Sequence, residues 1–365
     1  MARTIGLEEY AKVRSKRKGT VKKYAVLALF LAPFLLAFIS FFILPLLYGI
    51  YISLSNFKFS APGFTELNDG RWYKIILNLP LGDSRLDGFQ KRMVYSFWTA
   101  FGHSIVFSII MVPVAILLPL ALAILVNIKP PAYKAFRSMI YLPSIVPLSA
   151  AGTIFSLIFM NPANSGLMSV FFGSEVLWLE EVWFTFEIFG TTQTVMYTWI
   201  PIFFMCLWGG WGGNFLILSA GLQNIPKNLY EAASIDGCSS WRKVLKITIP
   251  GIKPQLVLCL FTTIIGYLGL YGQNYVLTGG YPHNVDISTS FPGHSQVSTV
   301  IYFIQDILTI DNLRESYYGL AAAASLIYAV VVGTISGIQQ YLTRDKKSGY
   351  KKSEAFSKWQ RARLQ

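Results

Sequence analysis

Charge is scarce in this 365-residue chain, because Asp, Glu, Lys and Arg make up only 13% of it. Soluble domains carry roughly 25% charged residues, so the shortage argues against both a disordered chain and a soluble globular enzyme. The hydrophobic share is 53% and the aromatic share 15%, which is typical of chains that line cavities or lie at membrane interfaces. The composition predicts an integral membrane protein.

Cysteine and histidine are also few. The three cysteines form no metal-binding spacing, and an odd number provides no complete disulfide framework. The three histidines lie far apart in sequence, which argues against a metal cluster. These residues are Cys206, Cys238, Cys259, His103, His283 and His294.

Six charge-free windows are long enough to cross a hydrocarbon core, which takes about 20 apolar residues. The predicted helices occupy residues 25–53, 99–127, 139–160, 191–218, 256–278 and 318–341. The first window (24–57) is too long for the apolar core of a signal peptide, so we expect an anchor that stays. A seventh charge-free stretch, Ile287–Gln305, is too interrupted by polar and turn residues to be a span.

The basic residues predict the orientation of these spans. Of the 31 Lys and Arg, 24 lie on the side of both tails (1–23 and 344–365), and 7 lie on the other side. By the positive-inside rule both termini are cytoplasmic, which places Lys243 inside, and Glu180 and the loop 58–95 outside. The basic tails could also serve as nucleic-acid arms, but anchoring to anionic lipid headgroups is the simpler explanation.

The six spans contain no Asp, Glu, Lys or Arg. A secondary carrier or proton pump needs a titratable group at membrane depth, and a selective channel needs charged rings or a carbonyl filter, so both classes are disfavoured. The chain also has no G-x-x-x-x-G-K-[ST] phosphate loop. If a solute is pumped, the energy is expected to enter from another subunit.

The loop 219–254 is long for a connection in a membrane bundle. Pro226 can open a short helix, and Asp236-Gly237 is a turn signal. A second short helix follows and ends at Pro250. We therefore expect a protruding elbow, which by itself could be either an interfacial amphipathic turn or a docking element.

One motif favours docking. The spacing Glu231-Ala232-Ala233, Gly237, Ile247 and Pro250 resembles the EAA signature of membrane subunits of ABC importers that work with a binding protein. Two positions depart mildly from that signature, Ile249 where Leu is usual and Cys238 where Ala is common. The resemblance implies an all-α integral membrane protein of the type I importer class, with six transmembrane helices and a coupling elbow. It also implies contact with the ATPase through Glu231, Ala232, Ala233, Asp236, Gly237, Cys238, Ile247 and Pro250.

Other stretches resemble the larger permeases of maltose- and glycerol-phosphate-type importers, over roughly residues 96–343. They are Phe136–Pro143, Asn161-Pro162 with Gly166, Tyr318-Gly319 and Ala321–Ala324. The resemblance implies a bacterial cell-membrane subunit without catalytic chemistry, which works with a second permease, two ATP-binding subunits and an extracytoplasmic binding protein. ATP and Mg would be bound by the ATPase. A sugar, and specifically an oligosaccharide, is the expected solute; glycerol-phosphate, a polyol or a stand-alone carrier remain alternatives.

Sugars favour aromatic faces and amide or hydroxyl groups. Span five offers Tyr267, Tyr271 and Asn274 at i, i+4 and i+7, which predicts one helical stripe. Span four offers Trp208 and Trp211 among four glycines. The same residues could instead be bundle core or lipid-facing, with the glycines as helix-packing contacts.

Overall fold

The computed structural model describes residues 26–58, 65–77, 88–160, 166–172, 176, 178–179, 181–188, 191–278, 297–309 and 314–343. Several sequence predictions fall outside these residues. They concern the two basic tails, Glu180, His283, His294 and Asn161-Pro162.

The described chain is mainly helical, with one β-hairpin. The helices are α1 (Val26–Ser53), α2 (Arg71–Leu77), α3 (Gly88–Asn127), α4 (Tyr133–Ile145), α5 (Leu148–Ile158), α6 (Leu167–Phe172), α7 (Trp199–Gln223), α8 (Lys227–Ile235), α9 (Ser240–Gly251), α10 (Lys253–Leu268), α11 (Gly272–Thr278), α12 (Val300–Thr309) and α13 (Arg314–Thr343). The strands are β1 (Val182–Ile188) and β2 (Thr191–Met196). We call the end of the bundle that carries α8 and α9 the elbow end, and the end that carries β1 and β2 the hairpin end.

The described residues contain four to six candidate membrane spans. The helices α1, α3, α7 and α13 are each long and apolar enough to cross a membrane. Two bent helix pairs, α4 with α5 and α9 with α10, bring the number to six if each pair is one span. The sequence prediction of six spans agrees with this upper count, in which two spans are not straight helices.

The third span is bent by 94° between α4 and α5. Pro143 lies in the short 3₁₀ turn that ends α4, and Pro147 caps the start of α5. Proline removes a backbone donor and disfavours the α conformation in the residue before it, so Val146 is extended and the helix cannot continue. The prediction of one helix over 139–160 is wrong for this reason.

The fifth span is also broken, because α10 ends at Leu268 and α11 begins at Gly272. Other elements take up the carbonyls that the break frees. The Tyr328 hydroxyl donates to the Leu268 carbonyl at 2.6 Å, and the Thr299 hydroxyl donates to the Leu270 carbonyl. Irregular backbone at membrane depth requires such partners. One continuous helix over 256–278, with a single stripe from Tyr267 to Asn274, is therefore a wrong prediction.

The fourth span begins later than the sequence predicted. Residues 191–196 form β2, which pairs antiparallel with β1, and α7 starts only at Trp199. The run Thr191-Thr-Gln-Thr-Val-Met is rich in β-branched residues, which favour a strand. The prediction of a helix from residue 191 is wrong. The predicted all-α fold class also did not include this hairpin.

The remaining boundaries are nearer to the predictions. The sixth span, α13, covers the predicted 318–341, whereas α3 starts well before residue 99 and takes part of the predicted loop. Another part of that loop forms α2, and its Trp72 indole N–H donates to the Ser55 carbonyl at 3.2 Å. The end of the rejected Ile287–Gln305 stretch lies in α12, which at ten residues is too short to cross.

The core lies around α3, which packs on α7, α10 and α12. Asn214 on α7 fastens three of these helices together. Its buried amide N–H groups donate to the Ala115 carbonyl on α3 at 2.9 Å and to the Thr263 hydroxyl on α10 at 3.0 Å. Because Asn214 and Ala115 are buried and Thr263 is half-buried, these hydrogen bonds fix the positions of the three helices relative to one another.

Candidate functional site

The elbow turn is built by a helix cap. The Cys238 N–H donates to the Ala233 carbonyl at 2.9 Å, and the Gly237 N–H donates to the Ser234 carbonyl at 3.1 Å. This is a Schellman motif, which needs a left-handed residue after the helix. Gly237 supplies it with φ +73°, a conformation that costs a non-glycine residue roughly 1–2 kcal/mol. The sequence prediction of a turn at Asp236-Gly237 is confirmed.

The second arm, α9, contains one π-helical turn, Val244–Thr248. The arms are joined by two side-chain hydrogen bonds. The Tyr230 and Thr248 hydroxyls lie 2.9 Å apart, and the Lys243 ammonium donates to the Ser234 hydroxyl at 2.7 Å. A bend of 73° then separates α9 from α10. The elbow is thus one fastened unit set at an angle to the span that follows it.

The elbow presents exposed apolar side chains and two exposed carboxylates. Ile235 is 87% exposed and Trp241 72% exposed, and Leu229 and Leu245 are exposed as well. Glu231 and Asp236 are exposed beside them. Large apolar side chains grouped on a protruding element are typical of a protein contact.

The motif residues divide between this surface and its support. Glu231, Ala232, Asp236, Gly237 and Pro250 are exposed, whereas Ala233 is buried and Cys238 and Ile247 are half-buried. Ile247 and Tyr230 pack against the buried cluster of Phe215, Leu218 and Leu222 at the elbow end. The exposed residues can therefore contact a partner while the others hold the elbow on the bundle.

A second candidate region lies halfway along the spans, where three irregular features meet. They are the α4–α5 bend, the α10–α11 break and the glycine-rich part of α7. A Cβ added to Gly212 would overlap the Ser144 hydroxyl, so only glycine allows α4 to approach α7 this closely. The side chain of Leu148, at the start of α5, lies against Gly272 at the start of α11. We call this region the mid-span layer.

The predicted pathway residues lie in or near the mid-span layer, in different surroundings. Trp208 packs on Phe155 with ring centroids 5.8 Å apart, and Tyr267 packs edge-on against Phe107 at 5.7 Å. Trp211 is half-buried, and its indole N–H has no partner among the described residues. These three side chains lie on α7 and α10.

The other two predicted residues lie nearer the hairpin end. Tyr271 forms a group with Tyr275 and Tyr302, with centroids 5.6 and 5.8 Å from its own. Asn274 is buried, and its amide donates to the Val297 carbonyl at 2.6 Å. Its side-chain oxygen has no partner among the described residues.

One face of the mid-span layer is open. A Cβ built on Gly209, Gly213 or Gly266 meets no atom of the described chain within 4 Å. These glycines therefore do not pack the helices of this chain together, contrary to the packing alternative. They leave a smooth surface on α7 and α10 that another chain or a solute can approach.

Sequence reasoning missed the segment Val297–Val300, which returns into the bundle and is fully buried. The His103 ring nitrogen Nδ1 lies 3.1 Å from the Ser298 carbonyl, and the Val300 N–H donates to the Ser104 hydroxyl at 3.1 Å. The segment thus ties α3 to the broken fifth span. The only sequence signals were isolated polar residues within apolar runs.

Comparison with known families identifies the class of protein that carries these features. Residues 115–348 match the family of the binding-protein-dependent transport system inner membrane component. The chain belongs to this family, and so to the integral membrane subunits of ABC importers. The elbow motif and the mid-span layer both lie inside the matched region.

Two curated relatives cover most of the chain. It is 30% identical to the arabinooligosaccharides transport system permease protein AraP of Bacillus subtilis, over 88% of this chain and 89% of that protein. It is 28% identical to the lactose transport system permease protein LacF of Rhizobium radiobacter, over 81% of this chain and 96% of that protein. Both relatives are named as permeases of sugar transport systems.

A solved structure shares the fold. A bacterial ABC transporter involved in the import of the acidic polysaccharide alginate has a chain that matches with a TM-score of 0.63. The sequence identity is 18%, and the match covers 89% of this chain and 97% of that chain. The bundle is therefore the fold of an ABC importer permease, as the EAA resemblance implied.

Proposed function

We propose that this chain is the permease through which an ATP-driven importer moves a sugar, most specifically an oligosaccharide. The observation that carries the proposal is the mid-span layer, with Trp208, Trp211 and Tyr267 beside open glycines. Aromatic rings bind the C–H faces of sugars. The naming of AraP and LacF as sugar permeases, over more than four-fifths of this chain, supports the same solute class.

The elbow end faces the cytoplasm in this proposal. The two basic tails and the elbow loop carry most of the 31 Lys and Arg, whereas loop 161–190 carries four Glu and no cation. The hairpin end is then outside, and the basic tails lie close to anionic lipid headgroups. In this proposal residues 24–57 are the N-terminal transmembrane helix, residues 58–95 the extracytoplasmic loop and residues 96–343 the permease domain.

In this proposal the elbow is where the ATP-binding subunit transmits energy to the permease. Its exposed apolar side chains and Glu231 would insert into a cleft on an ATP-binding subunit, where Glu231 pairs with a basic residue. ATP and Mg would be bound by that subunit, because the present chain has no phosphate loop. Closure of the ATPase pair would rotate the fastened elbow and shift the spans it adjoins.

The working assembly would contain a second related permease, two ATP-binding subunits and an extracytoplasmic binding protein. The open glycine face on α7 and α10 supports the second permease, because the solute path would then lie between two bundles. Tyr271 and Asn274 would belong to the outer part of that path. Asn274 would act by positioning Val297.

The test is uptake by the reconstituted assembly in proteoliposomes. Arabinooligosaccharides, lactose and maltotriose are compared with glycerol-3-phosphate and mannitol, with and without ATP on the elbow side. We expect ATP-dependent accumulation of at least one of the sugars. We expect no accumulation of glycerol-3-phosphate or mannitol. Uptake of only glycerol-3-phosphate or mannitol would overturn the solute class, and uptake by this chain alone without ATP would overturn the importer.

A further inference from the structure

The β-hairpin lies at the start of the fourth span, on the side that the proposed orientation places outside. β2 leads into α7 through Tyr197 and Thr198 alone, so the base of the hairpin is fixed to the start of the fourth span. The Tyr197 N–H donates to the Glu181 carbonyl at 3.1 Å, which closes that base. Residues 182–184 lie at this base and not at the remote tip.

The base contains a β-bulge. Val182 pairs with Met196 and Phe184 pairs with Val195, so Trp183 is the extra residue of β1. A bulge turns the side chain of its extra residue out of the regular alternation. Trp183 is 52% exposed, although it is a large aromatic residue in a hairpin of only two strands.

One face of the Trp183 indole packs against another aromatic ring. Its ring stacks on Tyr197 with centroids 5.7 Å apart and an interplanar angle of 21°. Trp178 supports Tyr197 edge-on at 5.9 Å. Tyr197 thus backs one face of the indole, Phe184 contacts the ring edge-on at 5.2 Å, and half of Trp183 stays exposed.

A column of rings connects this stack with the mid-span layer. Trp178 contacts Phe159 at 5.7 Å, Phe159 stacks on Phe155 at 6.3 Å, and Phe155 contacts Trp208 at 5.8 Å. Phe155 and Phe159 are buried, so these rings belong to the packed core and do not form a surface along which a sugar could move. The column holds the outer indole in a fixed position relative to Trp208.

We propose that Trp183, backed by Tyr197, is an outer binding site for one ring of the imported sugar. A rigid flat indole matches the C–H face of a single pyranose ring. The inference rests on the proposed function, because it takes the sugar as the solute.

The test observes Trp183 itself. The chain is labelled with 5-fluorotryptophan, assembled with its partners in nanodiscs without the binding protein, and studied by ¹⁹F NMR. The Trp183 resonance is assigned by its loss in Trp183→Phe. The titrant is the sugar that the proteoliposome assay shows to be imported, and mannitol at equal concentration is the control without a ring. We expect a saturable shift of the Trp183 resonance with the sugar only.

Two further variants separate the ring from the fold. Trp183→Leu keeps an apolar side chain without a ring, and Trp183→Phe keeps a ring. Sugar binding to the assembly, measured by saturation-transfer NMR, should weaken about two- to tenfold with Leu and much less with Phe. Phe171→Ala, at an exposed ring on α6, should leave the affinity unchanged.

Three results would overturn the inference. They are a Trp183 resonance that does not move with the imported sugar, one that moves only when the binding protein is added, and one that changes only with lipid composition. The second result would make the face a protein contact, and the third would place it in the aromatic belt of the membrane. If no sugar is imported at all, the proposed function fails instead, and the uptake assay reports that separately.

Discussion

The hydroxyl groups of Tyr230 and Thr248 lie 2.9 Å apart and join the two arms of the elbow. Both residues sit on the side of the elbow that faces the bundle, since Thr248 is buried and Tyr230 is half-buried. The bond thus links the helix that carries Glu231 with the helix that leads into the fifth span. A force applied to the first arm can pass through it to the second.

We predict that this bond contributes to coupling. Tyr230→Phe and Thr248→Val each remove one partner, and a hydrogen bond contributes about 0.5–1.5 kcal/mol. Each variant should lower the sugar transported per ATP hydrolysed, and the double variant should be no worse than the more severe single one. Strictly additive losses in this double-mutant cycle would show that the two hydroxyls act separately.

The close approach at Gly212 yields a stability prediction. Gly212→Ala places a methyl group on the Ser144 hydroxyl, and overpacking of this kind costs about 1–3 kcal/mol. The apparent melting temperature in detergent should fall. Gly213→Ala, one residue along α7, is the matched control and should change it little, because its Cβ meets nothing within 4 Å.

A compensating change makes that prediction sharper. Ser144→Gly removes the hydroxyl that Gly212→Ala would meet, so the alanine should cost less in the Ser144→Gly background than in the native chain. An equal cost in both backgrounds would mean that another neighbour limits the space at Gly212.

Tyr271 tests the outer part of the proposed path. Tyr271→Ala should lower sugar uptake about fivefold, since one contact contributes about 1 kcal/mol, while the assembled complex is recovered in normal yield. Tyr341→Ala, an equal truncation at an exposed position near the elbow end of α13, should have no effect. Normal uptake after combined replacement of Tyr267, Tyr271 and Asn274 would assign all three to packing.

Much of this architecture could be predicted from the sequence, because each span is a long charge-free run. The breaks in spans three and five could not, although their prolines and glycines are visible. Whether a proline or glycine ends a membrane helix depends on partners for the freed carbonyls. In span five those partners, Tyr328 and Thr299, are distant in sequence. The elbow turn was predictable because Asp236-Gly237 determines it locally.

The hairpin shows the opposite limit. Residues 191–196 contain no charge, so a search for charge-free windows counts them as part of span four. Their run of β-branched residues indicates a strand only when β1 is recognised as its partner. The binding site proposed at Trp183 depends further on a β-bulge and on stacking against Tyr197. Neither the bulge nor the stack can be inferred from composition.

The orientation can be tested without any partner. Single cysteines are introduced at Arg242 on the elbow and at Val182 on the hairpin, both of which are exposed, with the three native cysteines replaced by serine. In intact cells a membrane-impermeant thiol reagent should label position 182 and not position 242, as the positive-inside rule predicts. Labelling of position 242 from outside would reverse the topology.

The central claim is that ATPase energy enters through the elbow, and charge reversal at Glu231 tests it most directly. In proteoliposomes with the complete assembly, Glu231→Lys should remove ATP-driven sugar uptake, because like charges against a basic partner cost about 2–5 kcal/mol. Glu66→Lys makes the same charge change at an exposed carboxylate near the hairpin end and should transport normally. Loss of uptake and of substrate-stimulated ATP hydrolysis in the Glu231 variant alone is the predicted result, and native uptake by that variant would contradict the account.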